Sequence, residues 1–127
     1  MVNQVFLIGR CGREPEVRDL EGGNRLATIT LATSEKYKTR DGEEKEITEW
    51  HTVVIFGKPA DFVKNYVHSG DLLYVNGKIR TRSWQDKDNT MHFKTEIVAG
   101  TIQKLGRNDK PHAPQKVEED LPDFLNI

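Results

Sequence analysis

The chain has 127 residues, 35% of them hydrophobic and 31% charged, one domain's length of chain with a modest core under a heavily charged surface. No run approaches the roughly 20 apolar residues that cross a bilayer. The opening MVNQVFLIGR lacks the basic region, long apolar segment and cleavage site of a signal peptide, so the expectation is a soluble, cytoplasmic protein with no membrane contact. A formal net charge of −1 excludes the capture of a polyanion by bulk charge alone.

Residues 2–9 (VNQVFLIG) alternate and are rich in β-branched and aromatic side chains, the pattern of a strand. Cys11 at its end is the only cysteine, which rules out an internal disulfide and a cysteine-based zinc site. It reads as a small filler, with a reactive thiol as the alternative. Arg10, Arg13 and Arg18 follow, as phosphate contacts or as solvated loop residues. From the Gly22-Gly23 turn a second strand covers 24–34, with Ala27, Ile29, Leu31 and Thr33 on one face. Residues 35–46 are nearly all polar, and Asp41-Gly42 marks the tip of a long hairpin. The third strand, 47–57, puts Trp50, Thr52, Val54 and Phe56 on one face and His51, Val53 and Ile55 on the other.

The period then changes. In KPADFVKNYVHSG the apolar Phe62, Val63, Tyr66 and Val67 recur at helical spacing, with Pro59 in the first turn and Gly70 at the stop. Alternation returns over 72–82 through Leu73, Val75 and Ile79, and a last strand covers 91–105 after the polar turn at 86–89. Strand, strand, strand, helix, strand, strand is the order of a five-stranded Greek-key OB-fold barrel, all-β with one helix plugging one end between strands three and four. Residues 1–106 form this domain. Beyond it, 107–127 has two close prolines, no periodicity and an acidic cluster, the composition of a disordered tail. Arg107, Lys110 and Lys116 stand there against Asp109, Glu118, Glu119, Asp120 and Asp123, a net of −2 that leaves +1 on the first 106 residues.

A DNA single strand offers unstacked base faces and a row of phosphates, and a non-specific binder answers with exposed rings beside Lys and Arg. Tyr37, in SEKYKTR, is flanked by Lys36, Lys38 and Arg40 and has little core to enter. Trp84 lies just beyond Arg80 and Arg82 at the base of the last hairpin. For Trp50 and Phe56, periodicity leaves core packing and base stacking equally open; Lys58 and the small Gly57 beside Phe56 favour stacking. His51, His68, His92 and His112 show no metal-ligand spacing, and the chain has no Gly-rich phosphate loop and no nucleophile elbow. No catalytic residue, metal or cofactor is expected, and the chain reads as non-enzymatic.

The stretches NQVFLIGRCGREPEVR, ATITLATSE, TEWHTVVIFGK and GKIRTRSW closely resemble the bacterial and mitochondrial single-stranded DNA-binding protein family over about residues 1–106. The resemblance implies a homotetramer that wraps single strands without sequence preference in replication, repair and recombination, in the nucleoid. It implies stacking by Tyr37, Trp50, Phe56 and Trp84, a phosphate track through Lys58, Arg80 and Arg82, and a subunit-interface role for His51. Position 37 is usually Trp in the better-known members, so Tyr37 implies weaker stacking. The family tail ends in an acidic run and Ile-Pro-Phe that recruits replication and repair proteins. Glu118, Glu119, Asp120, Leu121, Pro122 and Phe124 resemble it, with Asp123 interrupting and Leu125-Asn126-Ile127 following. A protein-assembly factor on the same barrel, such as a primosome accessory protein, is the competing reading; a nucleic-acid-processing enzyme lacks a catalytic set.

The acidic cluster at 118–123 is expected to compete with DNA for the basic residues. Deleting 107–127 should tighten DNA binding at low salt, measured by titration of a labelled oligonucleotide; unchanged affinity would retire the idea.

Overall fold

An alternating strand needs partners that cover its apolar face. The computed structural model, which describes residues 1–107, meets that need by closing the sheet on itself. Its strands are β1 (Val5–Cys11), β2 (Glu16–Asp19), β3 (Arg25–Lys38), β4 (Glu44–Phe56), β5 (Leu72–Gln85) and β6 (Met91–Gly106), with a helix, α1 (Lys58–Tyr66), between β4 and β5. β1 pairs with β5, β5 with β6, β6 with β4, β4 with β3, and β3 returns to β1. The result is the five-stranded barrel read from the sequence, antiparallel except at β4–β6. The acidic tail residues singled out above lie outside the described residues.

β2 is a short sixth strand that the sequence did not announce. It pairs with the first residues of β3, along the edge that β1 takes further on. Its only apolar side chain is Val17, too little for a periodic signal. Arg25 holds it in place, donating to Asp19 at 2.7 Å and to Asp61 of α1 at 2.9 Å. The Asp19 carboxyl is held below the usual range by its hydrogen bond from Arg25.

Inside the ring lie Ala27, Ile29 and Leu31 of β3, Val53 and Ile55 of β4, Leu73 and Val75 of β5, and Ile97 and Ala99 of β6. Each fully buried Val, Leu or Ile contributes about 1.5–3 kcal/mol by leaving water. α1 plugs one end with Ala60 and Val63, followed by Val67. The stripe differs from the one the sequence suggested. The inward set is spaced i, i+3, i+7, and Tyr66 is turned outward, its ring 5.3 Å from that of Phe62. Gly57, at φ 80°, makes the sharp turn from β4 into the helix.

A buried ion pair closes the helix exit. Asp71 is 2% exposed, 3.1 Å from Lys104 Nζ, and accepts from the His68 N–H at 2.8 Å. The loop after β1 is tied to the same turn, because Ser69 donates its N–H to Glu14 at 2.8 Å and its hydroxyl to the Gly12 carbonyl. Cys11 is buried here, and desolvation, then Asp71 and Glu14, push its thiol up to about 11. That state suits a filler and not a nucleophile.

The β5–β6 register shifts at Asn76/Gly77, where Gly77 pairs with Ala99 and leaves Gly100 as the extra residue of a bulge. A Cβ on Gly77 would overlap the Val98 carbonyl oxygen, whereas one on Gly100 meets nothing closer than 4.0 Å. Gly77→Ala is therefore expected to cost about 1–3 kcal/mol, read as a lowered urea midpoint, with Gly100→Ala close to the parent.

Candidate nucleic-acid interface

Because side chains alternate along a strand, and residues directly opposite in a pair share a face, burial of Val53 and Ile55 forces Trp50, Thr52, Val54 and Phe56 outward. Trp50 is 61% and Phe56 48% exposed. The core alternative for these two rings is thereby removed. Register carries the outward face sideways. Phe56 pairs with Leu26, and Leu26 with Arg18 of β2, so Arg18 and Phe56 sit in one row about 10 Å apart. Val54 pairs with Val98, and Val98 with Lys78. Trp50 pairs with Ala32 and leans across β3 toward Gly12, where a built Cβ would lie 2.8 Å from the indole.

β4 and β6 pair only at Val53–Ile97 and Val54–Val98. Beyond that contact two paired ribbons separate, β3–β4 continuing to Lys38–Glu44 and β5–β6 to Gln85–Met91. Trp84 is thus a strand residue, because β5 runs three residues further than its aliphatic pattern. It pairs with His92 and shares the outward face with Arg80, Arg82 and Lys94. The residue is 43% exposed and two side chains contact its ring. The Arg82 guanidinium lies 5.3 Å from the indole centroid, and the His92 imidazole stacks at 5.5 Å and 23°.

Arg82 itself donates to Glu96 at 2.9 Å, and Glu96 is only 6% exposed. The charge of Arg82 is therefore paired, and its main work is to seat Trp84. Arg10 is engaged too, donating to the Gly70 carbonyl at 3.1 Å, and desolvation lowers its pKa. By contrast Arg18, Lys58, Lys78, Arg80 and Lys94 form no ion pair among the described residues. Tyr37 is exposed as expected but pairs with Lys45, on the ribbon face opposite Trp50. Lys36 and Lys38 do share the Trp50 face, each directly opposite a glutamate, Glu46 and Glu44. His51 points to the other side, half-buried, its Nε2 2.8 Å from Thr33 Oγ1.

Solvent-facing rings interleaved with unpaired cations, on one side of a closed five-stranded barrel, suit an unstacked polyanion. Residues 2–105 match the model of the Single-strand binding protein family. The chain belongs to that family. Among solved structures it is similar to one described as Plasmodium falciparum SSB complex with ssDNA, at 33% identity and a TM-score of 0.77, covering 83% of this chain and 96% of that one. It is also similar to a deletion mutant of the single-stranded DNA binding protein from Thermus aquaticus, at 27% identity and a TM-score of 0.74. There the match covers 86% of this chain and 52% of that one.

Sequence reasoning missed Lys78, Lys94, His92 and Gly12 as parts of this surface. The signal for Lys94 and His92 was present, since both alternate with the inward Ile97, but only pairing with β5 sets them beside Arg82 and Trp84. Gly12 carried no signal. Gly12→Ala is expected to displace the Trp50 indole, seen as a shift in its emission. Trp50→Ala, at an exposed site, should change the unfolding free energy little, by roughly 0.5 kcal/mol or less in urea titration.

Proposed function

We propose that this chain binds single-stranded DNA without sequence preference, and protects it during replication, repair and recombination, by stacking bases on exposed rings and neutralising phosphates with unpaired Lys and Arg. The observation that carries the reading is the outward placement of Trp50 and Phe56, two large apolar rings left in water by a barrel whose interior is filled by aliphatics. Trp84 adds a third ring on the neighbouring ribbon. Arg18, Lys58 and Arg80 follow the phosphates, joined by Lys78 and Lys94; Arg82 acts through Trp84. Tyr37, with Lys36 and Lys38, serves a strand that continues around the β3–β4 ribbon. The protein works by binding and not by catalysis.

Residues 1–106 form the binding domain, and 107–127 form the acidic tail that recruits replication and repair proteins through Glu118, Glu119, Asp120, Leu121, Pro122 and Phe124. The chain assembles as a homotetramer. Support comes from the outer face of β1, where Phe6 and Ile8 are 63% and 46% exposed and Ile8 pairs with Tyr74, an apolar surface of the kind that subunits cover. His51 stands at a subunit contact. Among the described residues no helix is long and apolar enough to cross a membrane, and the proposed site of action is the nucleoid.

Oligo-dT titrated into the protein should quench its tryptophan emission while duplex of the same length does not. Trp84→Ala and Phe56→Ala should each weaken oligo-dT binding by about 1–3 kcal/mol. Full affinity in both variants would refute the stacking mechanism. No binding by the parent would favour a protein-assembly role for the barrel.

A further inference from the structure

The turn between β5 and β6 is built around one carboxylate. Asp86 Oδ1 accepts the N–H groups of Asp88 and Thr90 at 2.8 and 3.0 Å, while Oδ2 lies 2.7 Å from His92 Nε2. The same imidazole stacks on Trp84. Asp86, His92 and Trp84 therefore form a continuous chain of contacts, with Arg82 also over the indole and itself anchored on Glu96. The bond from His92, and then those from Thr90 and Asp88, hold the Asp86 carboxyl below the usual carboxylate range.

We propose that His92 is a positioning residue for Trp84: Asp86 fixes the imidazole, and the imidazole fixes the indole where a base can stack on it. The proposal rests on the reading of Trp84 as a base-stacking ring. Without the imidazole the indole keeps its contact with Arg82 and loses its ring partner across the ribbon.

The test uses the full chain with Trp50→Phe, which leaves Trp84 as the only tryptophan of the two. His92→Gln can still bond Asp86 but has no ring to stack, so the emission of Trp84 in the free protein should shift relative to this parent. Binding of a dye-labelled oligo-dT, read by anisotropy, should weaken about two- to tenfold in the same variant. His92→Phe, which keeps a ring at the position, should stay close to the parent in both measurements. Unchanged emission and unchanged affinity in His92→Gln would overturn the role of His92. Failure of the underlying reading has a different signature: Trp84→Ala would then bind oligo-dT as tightly as wild type.

Discussion

The period of two along a strand is the constraint on which the rest depends. The inside of this closed barrel is filled by aliphatic side chains, Ile29, Leu31, Val53, Ile55, Leu73 and Val75 among them. Once Val53 and Ile55 are committed inward, Trp50 and Phe56 have no choice of face. A slip of one residue would bury the rings and expose the aliphatics, so the energy that closes the barrel is also the energy that presents the rings. The interface needs no separate stabilisation, only residues the core does not want.

Charge is divided on the same principle. Cations with structural work have carboxylate partners: Arg25 with Asp19 and Asp61, Lys104 with the buried Asp71, Arg82 with the buried Glu96. Removing Lys104 or Arg82 would strand a buried carboxylate, Asp71 or Glu96, which is costly. The outward cations near the rings are left without such partners and keep their charge for an external anion. A chain of net charge −1 can therefore present a locally basic surface, because much of its acidic complement is spent on internal pairs, on the β4 ribbon and in the tail. Arg82 illustrates the distinction. In the sequence it is one of two equivalent arginines, and its contacts with Glu96 and with the Trp84 ring separate its role from that of Arg80.

Much of this was legible in the sequence. The five barrel strands and the helix were announced by alternation and by its change of period, and the family motifs run through the strands that carry the rings. What stayed hidden has physical causes. β2 has one apolar residue, so its pairing is decided by β3 and by Arg25 and not by its own pattern. The ribbons beyond the barrel are largely polar, so pattern alone ended β3 and β5 too early and left Tyr37 and Trp84 beyond the strands that carry them. The face of Tyr37 could not be assigned until the register with Lys45 was known. Trp50 and Phe56 were ambiguous because β4 is apolar on both sides near its end, and only the partners of each face resolve which one meets water.

The most direct test of this account is ultraviolet cross-linking of the full-length protein to oligo-dT, with the attached residues mapped by mass spectrometry. Cross-links concentrated on Trp50, Phe56 and Trp84 would establish that the outward face of β4 and the β5–β6 ribbon carries the strand. Cross-links on Phe6 and Ile8 of β1, with those three rings unmodified, would show that the DNA path lies on another side of the barrel and contradict it.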